Sequence, residues 1–285
     1  MSQVRRGVER IVDPHPVVEG AGVKLKRSIG TRTLDYLDPF LLLDHFASRD
    51  ADDYRAGFPM HPHRGIETVT YMLRGGVDHR DSIGNSGSIG PGDIQWMTAG
   101  GGILHEEMPQ VRPEGINGFQ LWVNLPARLK MSQPRYQGIV ASQIPIVEAE
   151  GGAQVRIITG TVEGVSGPVS GIAADPAYLD VTIPPGSSFR REIPADHNAF
   201  AYVFEGIASF GADAEVEHAR LAVLADGDYV EATTGKNPAR FLLVSGAPLN
   251  EPIARYGPFV MNTREEIEEA LRDLRRGSFI WSARN

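Results

Sequence analysis

The chain has 285 residues, of which 41% are hydrophobic, and its formal net charge is −8. It contains no cysteine, which excludes disulfides, cysteine-based zinc sites, iron–sulfur clusters and thiol nucleophiles. An acidic surface is not the basic face that nucleic-acid binding usually requires, so no direct nucleic-acid partner is expected. No apolar run approaches the roughly 20 residues that cross a bilayer, and no signal peptide is indicated. We therefore expect a cytoplasmic protein without a membrane partner, found in the nucleus as well if the source is eukaryotic.

Short β-like segments bounded by turn formers dominate the chain, which contains 32 glycines and 20 prolines. This pattern predicts an all-β protein rather than a helix bundle. The segments are ETVTYMLRG, GDIQWMTAG and INGFQLWVNLP in the first half, and AYLDVTIPPG, NAFAYVFEGIASFG, RLAVLADGDYVEA and ARFLLVSGAP in the second.

The two halves share an order of signals, which indicates a duplicated all-β unit. In each half a β segment ending in a glycine turn (TYMLRGGV, AYVFEGIA) precedes a Gly-Asp pair and then a strand that leads into a bend. The polar stretch PARLKMSQPRYQGI separates the halves and predicts domains at 1–134 and 135–285. The final segment TREEIEEALRDLRRG predicts a helix, assigned to the second domain, because Thr263 and Glu266 form a capping-box pair.

Two histidine-containing stretches carry the chemistry. FPMHPHRGIET places His61 and His63 two positions apart, and AGGGILHEEMP does the same for His105 and Glu107. Positions i and i+2 of a strand face the same side, so each pair projects together. Three imidazoles and one carboxylate suit Fe(II), Mn, Co, Ni or Cu, with Zn a further possibility, and leave coordination positions open. The glycines of AGGGILH are expected to provide positive φ or close packing rather than a phosphate site.

HPHRGIETVTYMLRGG followed by PGDIQWMTAGGGILHEEMP resembles the two metal-binding motifs of the cupin superfamily, in the form found in the pirin family. LDPFLLLDHF, LWVNLPARLKMSQPRYQ and GAPLNEPIARYGPFVMNTREEI also resemble pirin segments, so the resemblance covers nearly the full chain. It implies two tandem cupin barrels (double-stranded β-helices, or jelly rolls) with a short C-terminal helix and metal only in the N-terminal barrel. The second half agrees with this, since it contains no His-x-His pair.

Carried over position by position, the resemblance implies that His61, His63, His105 and Glu107 bind one divalent ion, with Fe(II) favoured. The usual cupin pattern instead uses the glutamate of the first motif, which is Glu67 here. Pirins take their carboxylate from the second motif, at the position of Glu107.

Further residues are candidates for the surroundings of the metal. Glu67 has the same strand parity as the HPH pair and is a candidate to orient an imidazole. Gln120 and Trp122 share one face of a predicted strand and line the cavity if that face points inward; otherwise the alternate positions do. His45 is interpreted as a structural histidine, although Asp44 and His45 could border the cavity. The remaining histidines are predicted to be surface residues: His15, His79, His197 and His218.

The resemblance implies two alternative functions. The first is a quercetin 2,3-dioxygenase-type enzyme that opens the heterocyclic ring of flavonols with O2 and releases CO, with Glu107 as the catalytic base toward the 3-hydroxyl. The second is a non-catalytic, iron-containing redox sensor that binds a transcription factor or a metabolic enzyme. Both need the same four ligands, so both stay open here. A monomer is expected, because tandem barrels can close their own cores.

Overall fold

The computed structural model describes residues 3–211 and 214–282 and confirms the all-β prediction. The strands of the first half are β1 (Val8–Val12), β2 (His15–Glu19), β3 (Val23–Ile29), β4 (Phe40–Ser48), β5 (Phe58–His63), β6 (Ile66–Arg74), β7 (Val77–Asp81), β8 (Ser86–Ile89), β9 (Ile94–Thr98), β10 (Ile103–Pro109), β11 (Ile116–Asn124) and β12 (Arg135–Ile139). Those of the second half are β13 (Ile146–Glu148), β14 (Gln154–Thr159), β15 (Thr161–Val162), β16 (Val165–Ser166), β17 (Ala177–Ile183), β18 (Ser188–Glu192), β19 (Asn198–Glu205), β20 (Ile207–Phe210), β21 (Ala214–Glu217), β22 (Arg220–Leu224), β23 (Tyr229–Thr233), β24 (Ala239–Gly246), β25 (Ala254–Tyr256) and β26 (Phe259–Met261).

Helices are few. In the part of the chain that the structure describes, the α-helix is α1 (Arg264–Arg276), and three single turns of 3₁₀ helix cover Ala51–Asp53, Ala127–Leu129 and Ala141–Gln143. The predicted capping box is confirmed: Thr263 accepts from the Glu266 backbone N–H, and Glu266 accepts from that of Thr263. Gly277, at φ 72°, ends the helix in the left-handed conformation. Within the described ranges, α1 is neither long nor apolar enough to cross a membrane.

The first barrel is the compact unit of residues 16–30, 39–141 and 249–285. Its seven-stranded sheet has the order β12-β9-β6-β11-β4-β3-β2, and its four-stranded sheet has the order β5-β10-β7-β8. The pairings of β11 with β4 and β6, and of β6 with β9, are antiparallel, and side chains alternate between the two faces of the sheet. On β6, β9 and β11 one face carries polar residues into the barrel, as described below.

The second barrel is the unit of residues 1–15, 31–38 and 142–248. Its sheets have the orders β1-β22-β19-β24-β17-β14-β13 and β18-β23-β20-β21. One continuous apolar cluster fills its interior, and three phenylalanines lie at its centre. The ring of Phe241 packs edge-on against Phe210 at 5.1 Å and Phe189 at 6.4 Å.

The predicted domain ranges 1–134 and 135–285 are corrected at the two ends of the chain, where each terminal segment belongs to the opposite barrel from the one predicted. Strand β1 pairs with β22 and belongs to the second barrel, whereas α1 packs on β25 and β26 and belongs to the first. Long-range contacts cause this exchange: Arg6 donates to the carbonyls of His197 and Pro194 at 2.9 and 2.8 Å. His197 is therefore buried rather than on the surface, which corrects a second expectation. The position of the linker between the barrels stays a prediction.

The terminal helix is anchored beside the HPH motif. Arg64, the residue after His63, donates to the Asp273 carboxylate at 2.8 Å and to the Phe279 carbonyl at 3.2 Å. Its guanidinium also lies 4.5 Å from the centre of the Phe279 ring. An arginine that is 2% exposed thus joins the first barrel to the last residues of its own unit.

Candidate metal centre

The two histidine motifs meet on neighbouring strands. In the ladder between β5 and β10, His105 lies opposite His61, and Ile103 lies opposite His63. The ring centroids of the three histidines are 4.4 to 5.0 Å apart, and their ligating atoms all lie within 4.8 Å of one another. The two i, i+2 motifs therefore bring three imidazoles together in one cluster.

Glycines shape the turns that deliver these histidines. Gly65 follows the HPH motif at φ +80°, and a Cβ there would lie 2.0 Å from the Val260 carbonyl oxygen. Lys130 fixes the same turn, because its ammonium donates to the Gly65 and Val260 carbonyls at 3.0 and 2.8 Å. Before His105, Gly102 has φ +140°, and a Cβ there would lie 2.2 Å from the Phe279 carbonyl oxygen. The prediction for the AGGGILH glycines is confirmed.

Two of the three imidazoles favour the neutral form in this environment. Burial lowers the pKa of His63 well below its usual value, and the neighbouring His61 lowers it further. Burial likewise lowers the pKa of His105, with His63 and His61 adding to the effect. His61 Nδ1 donates to the Pro59 carbonyl at 2.9 Å, and its Nε2 faces the Nε2 of His63. Neutral imidazoles with a fixed tautomer are the form that binds metal.

These residues fit a divalent cation. The Nε2 atoms of His61 and His63 are 3.1 Å apart. Two nitrogens each about 2.1 Å from one ion and at right angles to each other are separated by about 3.0 Å. Both ring nitrogens of His105 are buried and have no hydrogen-bond partner among the described residues. An ion between the three rings would satisfy lone pairs that otherwise face one another.

Glu107 lies beside the imidazoles but outside the compact group. Within residues 3–211 and 214–282, the potential metal-binding group with all ligating atoms within 4.8 Å contains only the three histidines. Thr70 Oγ1 lies 2.8 Å from Glu107 Oε1 and 2.9 Å from Gln120 Oε1. One hydroxyl has one proton, so Thr70 donates to Glu107 and accepts from Gln120 when the amide is turned to present its NH2. Burial raises the pKa of Glu107, while His61 and Thr70 oppose that rise.

A cavity of about 520 Å³ opens from this cluster. His61, His63 and Glu107 line it, and Gln120 and Trp122 form part of its wall. The Trp122 indole and the His63 ring pack nearly perpendicular to each other, with 5.1 Å between centroids. The cavity walls are otherwise mixed: apolar side chains from Leu25, Leu42, Phe46 and Phe58, and charged ones from Glu19, Arg27, Asp44 and Arg255.

Two predicted neighbours of the metal lie on the far face of the sheet. On β6, Glu67 faces the side of the sheet opposite to the inward-facing Thr70. Its carboxylate accepts a hydrogen bond from Thr98 Oγ1 at 2.7 Å. This hydrogen bond of Glu67 is therefore with a threonine rather than with an imidazole. His45 stacks on Phe119 at 4.6 Å and contacts Asn117 Oδ1 at 2.9 Å. Asp44 and His45 are neighbours on β4, and of these two only Asp44 faces the cavity.

Sequence reasoning missed Thr70, Arg27 and Arg255. Polar residues on alternate positions of the apolar strand β6 were a usable signal for Thr70. Arg27 faces Asp44 across the β3–β4 ladder, and no local pattern indicates that pairing. Arg255 reaches the cavity from the C-terminal segment, which the sequence had assigned to the other domain.

Comparisons with known proteins agree with this architecture. Residues 22–123 match the family described as Pirin, and residues 178–280 match the one described as Pirin C-terminal cupin domain. A pirin-like protein of Caulobacter vibrioides is 48% identical over 277 residues, covering 96% of this chain and 99% of that protein. Human pirin is 43% identical over 263 residues, covering 90% of this chain and 88% of that protein.

The crystal structure of quercetin 2,3-dioxygenase from Acinetobacter baumannii is also similar. It superposes with a TM-score of 0.87 at 36% sequence identity, covering 96% of this chain and 98% of that chain. Sequence and structure comparisons therefore span nearly the whole molecule.

Proposed function

The chain belongs to the pirin family, a bicupin branch of the cupins, and from this premise we propose that it is a metal-dependent dioxygenase of flavonols such as quercetin. The proposed reaction opens the heterocyclic ring with O2 and releases CO. The similarity to a quercetin 2,3-dioxygenase of Acinetobacter baumannii supports the enzyme over a non-catalytic regulator.

One observation carries the proposal: three imidazoles converge within 4.8 Å of one another, and two of them, His61 and His63, line a cavity large enough for a small aromatic substrate. Small-molecule sites have volumes of about 300–1,000 Å³, and this cavity falls within that range at about 520 Å³. We propose that His61, His63 and His105 hold the ion and that Glu107 completes the set. Iron(II) is the favoured ion, since three nitrogens with one carboxylate and open positions suit it.

The bound ion would act as a Lewis acid toward the acidic hydroxyl group of the substrate. The protein side chains would supply the rest. Thr70 holds one oxygen of Glu107, which leaves the other to take the proton of the flavonol 3-hydroxyl. Gln120 fixes the Thr70 hydroxyl, and Trp122 with the apolar walls excludes water around a flat ring system.

The test is turnover by iron-loaded protein. Protein loaded with Fe(II) and mixed with quercetin in air should bleach the flavonol absorbance and release CO in proportion. Protein loaded with Zn(II), which has no redox chemistry, should leave quercetin intact. A fully iron-loaded sample that does not consume quercetin would contradict the proposal and favour the regulatory alternative.

A further inference from the structure

A row of polar side chains crosses the first barrel at one level. Thr70 on β6 lies opposite Gln120 on β11, Gln120 opposite Asp44 on β4, and Asp44 opposite Arg27 on β3. Neighbouring strands are about 4.8 Å apart, so Asp44 lies roughly 10 Å across the sheet from Thr70. Since Thr70 contacts Glu107, the row runs from the metal end of the cavity to a second polar end at Asp44.

This second end is built around a buried ion pair. Arg27 Nε and Nη2 each donate to one oxygen of Asp44 at 2.8 Å. Arg27 Nη1 lies 2.8 Å from Glu19 Oε1. Asp44 is only 4% exposed, although it lines the cavity. Burial raises the pKa of Asp44, but the two N–H groups of Arg27 favour its ionised form.

The arrangement favours ligands that donate hydrogen bonds. Three of the Arg27 nitrogens are committed to carboxylates, which leaves little of that cation for an anionic ligand. Each carboxylate oxygen has two lone pairs, and the arginine fork uses one on each oxygen of Asp44. Two acids, Glu19 and Asp44, balance two bases, Arg27 and Arg255, so this wall has no net charge.

We propose that Asp44, held in place by Arg27, determines specificity by accepting hydrogen bonds from hydroxyl groups on the substrate ring farthest from the metal. This inference rests on the proposed function and narrows its substrate class to uncharged, flat aromatic compounds with hydroxyl groups at both ends. The apolar side chains between the two polar ends, such as Leu42 and Phe58, pack against the faces of the rings.

A substrate series tests the subsite in the wild-type protein. Quercetin has two hydroxyls on its remote phenyl ring, kaempferol has one and galangin has none. A hydrogen bond to a charged group is worth about ten-fold or more, so kcat/KM of the iron-loaded enzyme should fall at least ten-fold from quercetin to galangin. Binding of the same three flavonols to zinc-loaded protein, followed by tryptophan fluorescence, should show the same order.

The outcomes separate the two proposals. Equal kcat/KM for the three flavonols overturns the role of Asp44 and leaves the dioxygenase proposal standing. Absence of turnover with every flavonol overturns the dioxygenase proposal, and the zinc-loaded binding series then decides the subsite by itself: quercetin tighter than galangin supports it, and equal or absent binding overturns it.

Variants sharpen the test with a matched control. Asp44→Asn should reduce kcat/KM for quercetin to the galangin level and leave galangin nearly unchanged. The second barrel contains a similar buried pair, in which Arg240 donates to both oxygens of Asp180 at 2.8 and 2.6 Å. Asp180→Asn should retain the wild-type ratio of quercetin to galangin, whereas an equal loss of that ratio in both variants overturns the proposal. If Asp44→Asn does not fold, the wild-type series still decides.

Discussion

The two barrels have the same framework and different interiors. Within the described residues, each contains a seven-stranded and a four-stranded sheet. In the second barrel the interior is a continuous apolar cluster, in which even Ala201, Val203 and Phe241 have no exposed surface. In the first barrel, inward positions carry histidines, a glutamate, a threonine and a glutamine around a cavity. The comparison shows that the sheets are a scaffold and that the choice of residue at inward positions separates a site from a core.

The largest effect is expected from a substitution in the histidine cluster, which is the main chemical difference between the two barrels. His61→Ala takes one ligand from the group of three, so metal content should fall from one ion per chain to near zero. Turnover of quercetin should fall by more than about 100-fold, since even residues that only orient ligands cost 10–100-fold. Elemental analysis and the flavonol assay measure the two quantities. His218→Ala, an exposed histidine of the second barrel, is the control, and a His61→Ala protein that keeps its ion would refute the site.

Glu107→Gln should cause the next largest loss, a fall in the rate of quercetin turnover. Loss of a general base costs about 10²–10⁴-fold in rate, whereas three imidazoles remain to hold the ion at saturating iron. The matched control is Glu67→Gln, which alters another buried carboxylate of the same barrel on the opposite face of the sheet. Rates that fall equally in both variants would indicate general damage to the barrel instead of a base at Glu107.

Packing should also differ between the interiors. Leu243→Ala in the filled barrel should cost about 3–5 kcal/mol of unfolding free energy, because Leu→Ala in tight cores leaves an unfilled volume. Leu42→Ala should cost less, about 2–3 kcal/mol, since Leu42 already borders open space. Both leucines are 2% exposed, so urea titrations compare them directly. Equal costs would mean that the cavity wall is packed as tightly as the core.

The smallest effect is expected on stability, from a change at the start of α1, which packs in the first barrel. Thr263→Ala removes the N-cap of α1 and should cost about 1 kcal/mol. Thr263→Ser keeps the cap oxygen and should restore most of that stability in thermal unfolding. If Ser and Ala variants melt alike, the cap does not contribute measurably.

Local regularity explains what the sequence could predict. Strands such as β6, β11 and β24 follow apolar segments bounded by turns, and α1 begins and ends at its capping residues. The HPH pair was recognisable for the same reason, because residues two apart in one strand must share a face.

Features that depend on distant contacts were not accessible. The parity argument for Glu67 counted across Gly65, where one strand ends and the next begins, so the count carried no information about its face. The exchange of chain ends depends on pairings such as β1 with β22, which no periodicity encodes. Arg255 reaches the cavity through the same kind of tertiary placement.

The anchoring of Arg64 to Asp273 and Phe279 has a consequence for biosynthesis. The histidines of the cluster are synthesised before α1 and Phe279, yet the turn behind them is buttressed by these later residues. We therefore expect the nascent chain to carry the candidate ligands before it can hold them rigidly, and ion capture to follow the synthesis of α1. A shortened chain that stops before α1 would contain all three histidines and lack the contacts of Arg64 that support their turn.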